Sequence, residues 1–155
     1  MRKEIPMLDS SLTKEEFLEY IPSSFQSVVF GTISSDGKPV TNVADIEALK
    51  DGKLYFSTTY QKAFYQRLTS DPYVSITALK GEETMSSVGF TLNGTVKEVD
   101  LSYMDLIYEG HPEMEEINKT SSERRELLRP FEITPVNGSL YDLRQTPIFQ
   151  KAFAF

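Results

Sequence analysis

With 155 residues, 39% of them hydrophobic and 12% aromatic, the chain suffices for one domain with a buried core. Its formal net charge of −7, from 23 acidic and 16 basic residues, argues against a nucleic-acid partner. It has no cysteine, which excludes disulfides, thiol catalysis and thiolate metal sites. The N-terminus starts basic but has no apolar core of signal-peptide length, and no run approaches the ~18 apolar residues of a membrane helix. The expectation is a soluble, cytoplasmic, single-domain protein spanning 1–155, with neither nucleic acid nor membrane as partner.

In chain order, Thr13 and Glu16 are spaced as a capping box and predict a short helix over about 13–20, docked by Phe17 and Tyr20. Residues 25–34, FQSVVFGTIS, read as a buried strand. Ser35-Asp36-Gly37-Lys38 is a hairpin turn, and residues 39–49 form the return strand with Val40, Val43, Ile46 and Leu49 among polar residues. Asp51-Gly52 is a second hairpin turn, so three strands are expected in a meander. The third, KLYFS at 53–57, runs through Ser57, Thr58 and Thr59 into a helix over 60–70, with Lys62 in its first turn. Free N–H groups at a helix start, hydroxyls beside them and one ammonium suit a phosphate. The plainer alternative is that Thr58 or Thr59 caps the helix and Lys62 is a solvated charge. The stretch lacks the glycines of a P-loop or dinucleotide fingerprint.

Asp71-Pro72 then breaks the chain before a strand over 73–79 and a polar loop over 81–85. Residues 87–99 alternate with period two, and Gly94 within them marks a bulge or a close backbone approach. The pattern from 100 to 128 is helical, with a second capping box at Thr120 and Glu123. A last hairpin is expected over 131–143, turning at Asn137-Gly138. The apolar tail, TPIFQKAFAF, should be docked. The total is a mainly β chain of six or seven antiparallel strands in a small closed or split barrel, with a few peripheral helices.

The single histidine, His111, lies between two helical segments beside Pro112 and has no evident orienting partner, so a structural role is the simpler one. No G-x-S-x-G elbow exists, and the acids at 113–116 lack EF-hand spacing, so no metal site is expected. No residue is assigned as catalytic. Chemistry here points to a bound cofactor.

The stretches VVFGTI (28–33), DGKP (36–39), LYFST (54–58), KAFYQRL (62–68), DPYVS (71–75), LNG (92–94) and GSLYD (138–142) together resemble the pyridoxamine 5'-phosphate oxidase-like flavoproteins. That resemblance implies an FMN-binding split barrel, a homodimer with the flavin at its interface, and a small-molecule electron donor or acceptor. It places Asn42, Val43 and Asp45 beside the flavin ring, and Ser57, Thr58, Thr59 and Lys62 around the phosphate. Three departures stand out: Asn42 where relatives commonly have arginine, Gly89 where true oxidases have glutamine, and Gln150-Lys151-Ala152 in place of an Arg-x-His. The last argues against vitamin B6 oxidation. The leading expectation is an FMN-dependent oxidoreductase of unknown substrate. The alternatives are a non-enzymatic flavin carrier or electron-transfer module, or a split barrel holding a deazaflavin, a haem or nothing. Val88, Phe90 and Leu92, with Ile148, Phe149, Phe153 and Phe155 of the tail, are the apolar material expected at the dimer seam, unless the tail folds back over its own barrel.

Overall fold

The structure, a computed structural model, describes residues 1–120 and 126–155. Thr13 caps helix α1 (Lys14–Tyr20) as its spacing predicts: Glu16 N–H donates to Thr13 Oγ1 at 3.1 Å, and Thr13 N–H to Glu16 Oε1 at 3.0 Å. The pairing of Thr120 with Glu123 reaches outside the described residues. No helix among the described residues is long and apolar enough to cross a membrane.

Eight antiparallel strands make the body: β1 (Ser27–Ile33), β2 (Pro39–Asp45), β3 (Ala48–Lys50), β4 (Lys53–Thr59), β5 (Tyr73–Lys80), β6 (Val88–Glu98), β7 (Leu128–Asp142) and β8 (Phe149–Ala154). Their order is β2-β1-β5-β6-β7-β4-β3, with β8 also on β7. The mainly β class is correct, but among the described residues the strands number eight rather than six or seven, and no hydrogen-bonded pairing closes the sheet. It is a split barrel with β2 at one end and β3 at the other.

Two differences from the sequence pattern create that split. The expected return strand breaks at Ile46 and Glu47 instead of running through 39–49. Ile46 is fully buried and its N–H bonds Gln26 O at 2.8 Å, whereas the Glu47 N–H bonds Tyr55 O at 2.8 Å. Successive amides thus tie the start of β1 to β4, and β2 and β3 part to opposite ends of the sheet. No three-stranded meander forms. Conversely, the expected hairpin over 131–143 is one continuous strand, β7. A side chain at Gly138 would lie 2.6 Å from Thr91 O, so this glycine serves close approach to β6 rather than a turn. Asn137 spends its amide on Asn93 Nδ2, at 2.9 Å, opposite the register shift at Asn93 and Gly94. The extra residue there is Val136 on β7, and Gly94 serves the close approach, since a side chain on it would lie 2.6 Å from Thr134 O.

The core is aromatic. Phe30 and Phe56 meet at 4.7 Å between centroids, and Phe56 stacks on Phe131 at 5.4 Å. Helix α2 (Ala63–Ser70) docks on this cluster through buried Phe64 and Leu68, which contribute about 1.5–3 kcal/mol each. Helices α3 (Met104–Gly110) and α4 (Pro112–Thr120) follow β6, and Met104, Ile107 and Tyr108 pack on Tyr55 and Leu128.

Most of the apolar material expected at a dimer seam is used within the chain, while Ile148 and Phe155 stay exposed at 48% and 41%. Val88, Phe90 and Leu92 are buried in their own core, and Phe149 and Phe153 pack against it. The tail forms β8 on β7 and sets Phe153 and Phe155 against Phe17, at 5.4 and 6.3 Å. The apolar tail covers its own barrel because β7 offers it a free edge at Asn137–Asp142.

Candidate functional site

A cleft of about 350 Å³ opens at the split, between β2 and the β4–α2 junction. It lies near the small end of the ~300–1,000 Å³ usual for small-molecule sites. Asn42, Val43, Asp45, Ser57, Thr58, Thr59 and Lys62 all line it, together with Glu47 and Phe64. Residues separated by up to 20 positions in sequence are brought together because the 46–47 crossover sets β2 beside the end of β4.

At the β4 end the chain turns through Thr59–Lys62, where Lys62 N–H bonds Thr59 O at 3.2 Å, and enters α2. Lys62 is the N-cap residue rather than a first-turn residue, and among the described residues no side chain caps the helix. Thr58 and Thr59 therefore do not perform the capping that hydroxyls at this spacing often perform. The first-turn N–H groups lack a side-chain acceptor, and the Lys62 ammonium makes no ion pair among the described residues. Thr58 is only 5% exposed, yet its hydroxyl has no partner among the described residues and is not sealed from solvent. Helix-start amides, free hydroxyls and an unpaired ammonium form a donor set that fits a phosphate.

Along β2 the residues alternate. Asn42 stands opposite buried Phe30 and faces inward, whereas Val43 stands opposite Val29 and is 72% exposed. Asp45 has its carboxylate occupied: Ser27 Oγ donates at 2.6 Å and Gln26 Nε2 at 3.2 Å. Those bonds turn its charge toward the start of β1. As the end strand, β2 leaves main-chain groups along one edge free to meet a planar ligand.

Glu47 was not singled out by its sequence context, which reads as the middle of a strand. It is 9% exposed, lines the cleft and accepts from Ser57 Oγ at 3.3 Å. Burial lifts its carboxyl to about 7, opposed by the Ser57 hydrogen bond and reinforced by Asp45. The cleft thus holds a carboxyl that keeps its proton near neutral pH. His111 does not face this cleft. One ring nitrogen, Nε2, lies 3.2 Å from Glu47 O and the other, Nδ1, 3.6 Å from Glu113 Oε1, so the ring staples the α3–α4 corner to the crossover.

The departures also have structural accounts. A side chain at Gly89 would lie 2.3 Å from the Tyr141 ring, so that ring occupies the space a glutamine would need. Lys151 donates to Ser10 O at 2.8 Å and Leu12 O at 2.7 Å, so the tail ties down the N-terminal segment and reaches no residue of the cleft.

Known proteins agree with this architecture. A family model for pyridoxamine 5'-phosphate oxidase matches residues 13–136. A pyridoxine/pyridoxamine 5'-phosphate oxidase of Bacteroides thetaiotaomicron is 30% identical over 76 residues, covering 47% of this chain but only 36% of that enzyme. A haem-binding protein of Mycobacterium smegmatis superposes with a TM-score of 0.71 at 13% identity, over 92% of this chain and 58% of that one. A pyridoxamine 5'-phosphate oxidase-related, FMN-binding protein of Nostoc punctiforme gives 0.59 at 14% identity, over 84% and 86% of the two chains. The two structural likenesses speak to the fold, and the family match covers most of the sequence. The chain belongs to the pyridoxamine 5'-phosphate oxidase family.

Proposed function

We propose that the cleft binds FMN, with its phosphate at the start of α2 and its ring along β2, and that the protein is an FMN-dependent oxidoreductase acting on a small molecule. The uncapped helix start beside unpaired Lys62 carries this reading. Lys62 would neutralise the phosphate, Thr58 and Thr59 would donate to it, Ser57 would join them by turning its hydroxyl from Glu47, and Asn42 and Val43 would flank the ring. Bound FMN would supply the electron-accepting chemistry, which the side chains themselves lack. The FMN-binding protein of Nostoc punctiforme supports the choice of cofactor. Haem is the weaker reading despite the mycobacterial haem-binding protein, because iron takes histidine, cysteine, methionine or tyrosine and the cleft lining includes none of these.

Glu47, which holds its proton near neutrality, sits through Ser57 at the phosphate end of the cleft, where a neutral carboxyl admits an anion that a carboxylate would repel. The working unit in this proposal is a homodimer. The cleft is open along the β2 edge, and exposed Val43 beside it gives a second copy an apolar surface to cover. The test is the visible spectrum of protein reconstituted with FMN, followed anaerobically with NADH or NADPH. Flavin absorbance that bleaches and returns with an added acceptor is expected. A spectrum of free FMN after gel filtration would overturn the cofactor, and bound flavin without any turnover would leave the carrier role.

A further inference from the structure

Arg67 lies in the second turn of α2, outside the cleft lining, and its side chain runs back to the β1–β2 hairpin. Its Nε–H donates to Thr32 Oγ1 at 2.8 Å, and Nη2–H donates to Asn42 Oδ1. Thr32 is buried and passes its own hydroxyl proton to Val40 O at 3.2 Å, so its oxygen is held in place. The guanidinium carbon lies 6.0 Å from the Phe64 ring centroid. Among the described residues no carboxylate pairs with Arg67. Its half-buried guanidinium is met by two neutral acceptors, Thr32 and Asn42.

The chemistry of this contact decides which way Asn42 faces. A guanidinium carries only donors, so the atom turned to Arg67 is the amide oxygen and the NH₂ is turned away from it. Asn42 Nδ2 has no partner among the described residues, where Ser24 Oγ is the one buried side-chain atom left unpaired. Its NH₂ therefore keeps access to solvent, and Asn42 lines the cleft. We infer that Arg67 is a positioning residue that holds Asn42 as a hydrogen-bond donor toward the cleft and places a second uncompensated cation behind Lys62. The ligand atom read at this position is then an acceptor, and the ligand is anionic. The inference rests on the FMN reading for the ligand's identity. It also recasts Asn42: the guanidinium missing from β2 is supplied from α2.

The experiment combines ligand-free NMR with FMN titration by flavin quenching on wild type, Arg67→Met, Asn42→Ala and the double variant. Arg67→Met should shift the Asn42 side-chain amide resonances before any ligand is added. Each single variant should weaken FMN about tenfold, the scale of one charge-assisted contact, and the double variant should lose no more than the worse single. Asn42→Asp leaves Arg67 paired but presents an acceptor to the cleft, so it should bind FMN more weakly than Asn42→Ala, and it serves where Arg67→Met fails to fold. Additive losses, or Asn42→Asp binding FMN as well as wild type, overturn the inference. Wild type that binds no FMN overturns the functional reading instead. The Asn42 resonances then still decide the positioning role, and unmoved resonances in Arg67→Met overturn it.

Discussion

Two corners of this barrel bury carboxyl groups and treat them in opposite ways. At the end of β7, Asp142 is fully buried and Arg144 meets it with Nε at 2.8 Å and Nη2 at 2.8 Å, while Gln145 adds a third donor at 3.0 Å. Arg144 also reaches Ile5 O at 2.9 Å and Pro6 O at 2.8 Å, so the group sews the N-terminal segment to the sheet. The Arg144 hydrogen bond holds the Asp142 carboxyl well below the usual carboxylate range, outweighing burial. Around the cleft, by contrast, Glu47 has only Ser57, and neither Lys62 nor Arg67 pairs with a carboxylate among the described residues. One corner satisfies its charges internally, whereas the other leaves its carboxyl to a single hydroxyl and its cations without a carboxylate. Internally closed charge is structural, and on the proposed function the open set is where the phosphate of FMN would be held.

The largest expected effect belongs to the closed corner. Asp142→Ala leaves a guanidinium unpaired and should cost about 3–5 kcal/mol, read as a lower urea midpoint at unchanged m-value. Because the folded state lowers this carboxyl's pKa, its stabilisation is present above the ordinary carboxylate range and is lost as pH falls toward the folded value. A small loss would mean that the corner is not the closed unit described.

Glu47 should show the reverse sign. Its folded pKa is raised to about 7, so its favourable contribution is full below the ordinary carboxyl value and is lost as pH rises through 7. Wild-type stability should fall by up to about 3 kcal/mol across that window, and Glu47→Gln should flatten the curve. Parallel pH profiles of the two proteins would remove Glu47 as a proton-holding group. The smallest effect expected is none. Oxygen-dependent conversion of pyridoxamine 5'-phosphate to pyridoxal 5'-phosphate should be undetectable even in FMN-saturated protein, because the Gln150–Ala152 segment is committed to β8. Measurable product would show that another part of the chain handles that substrate.

The contrast between the two corners also explains what could be read from residues alone. Local patterns that close on themselves were legible: the Thr13–Glu16 box, the tight turns before β2 and β4, and the hydroxyl run leading into α2. All seven expected cleft residues do line one cleft, because six of them sit on two short strand segments and Lys62 follows the second directly. The break at Ile46 and Glu47 was hidden because an apolar–polar pair looks the same in a continuing strand as in a crossover. Asn137-Gly138 misled because glycine serves close packing as well as turns. Glu47 carried only a weak signal, a carboxylate two residues from Asp45 beside a wholly buried isoleucine. Arg67 carried none. Its meaning depends on α2 lying against the β1–β2 hairpin, a contact between residues 25 positions apart.

The central claim is that the open corner holds the phosphate of FMN, and the direct measurement is a titration of FMN and riboflavin into wild type and Lys62→Ala. The two ligands differ only by the phosphate. Removing a charge-assisted contact costs about 1.5–3 kcal/mol, so Lys62→Ala should weaken FMN roughly ten- to a hundredfold, leave riboflavin unchanged and leave thermal unfolding intact. Equal affinity of wild type and Lys62→Ala for FMN, or of wild type for FMN and riboflavin, would contradict it.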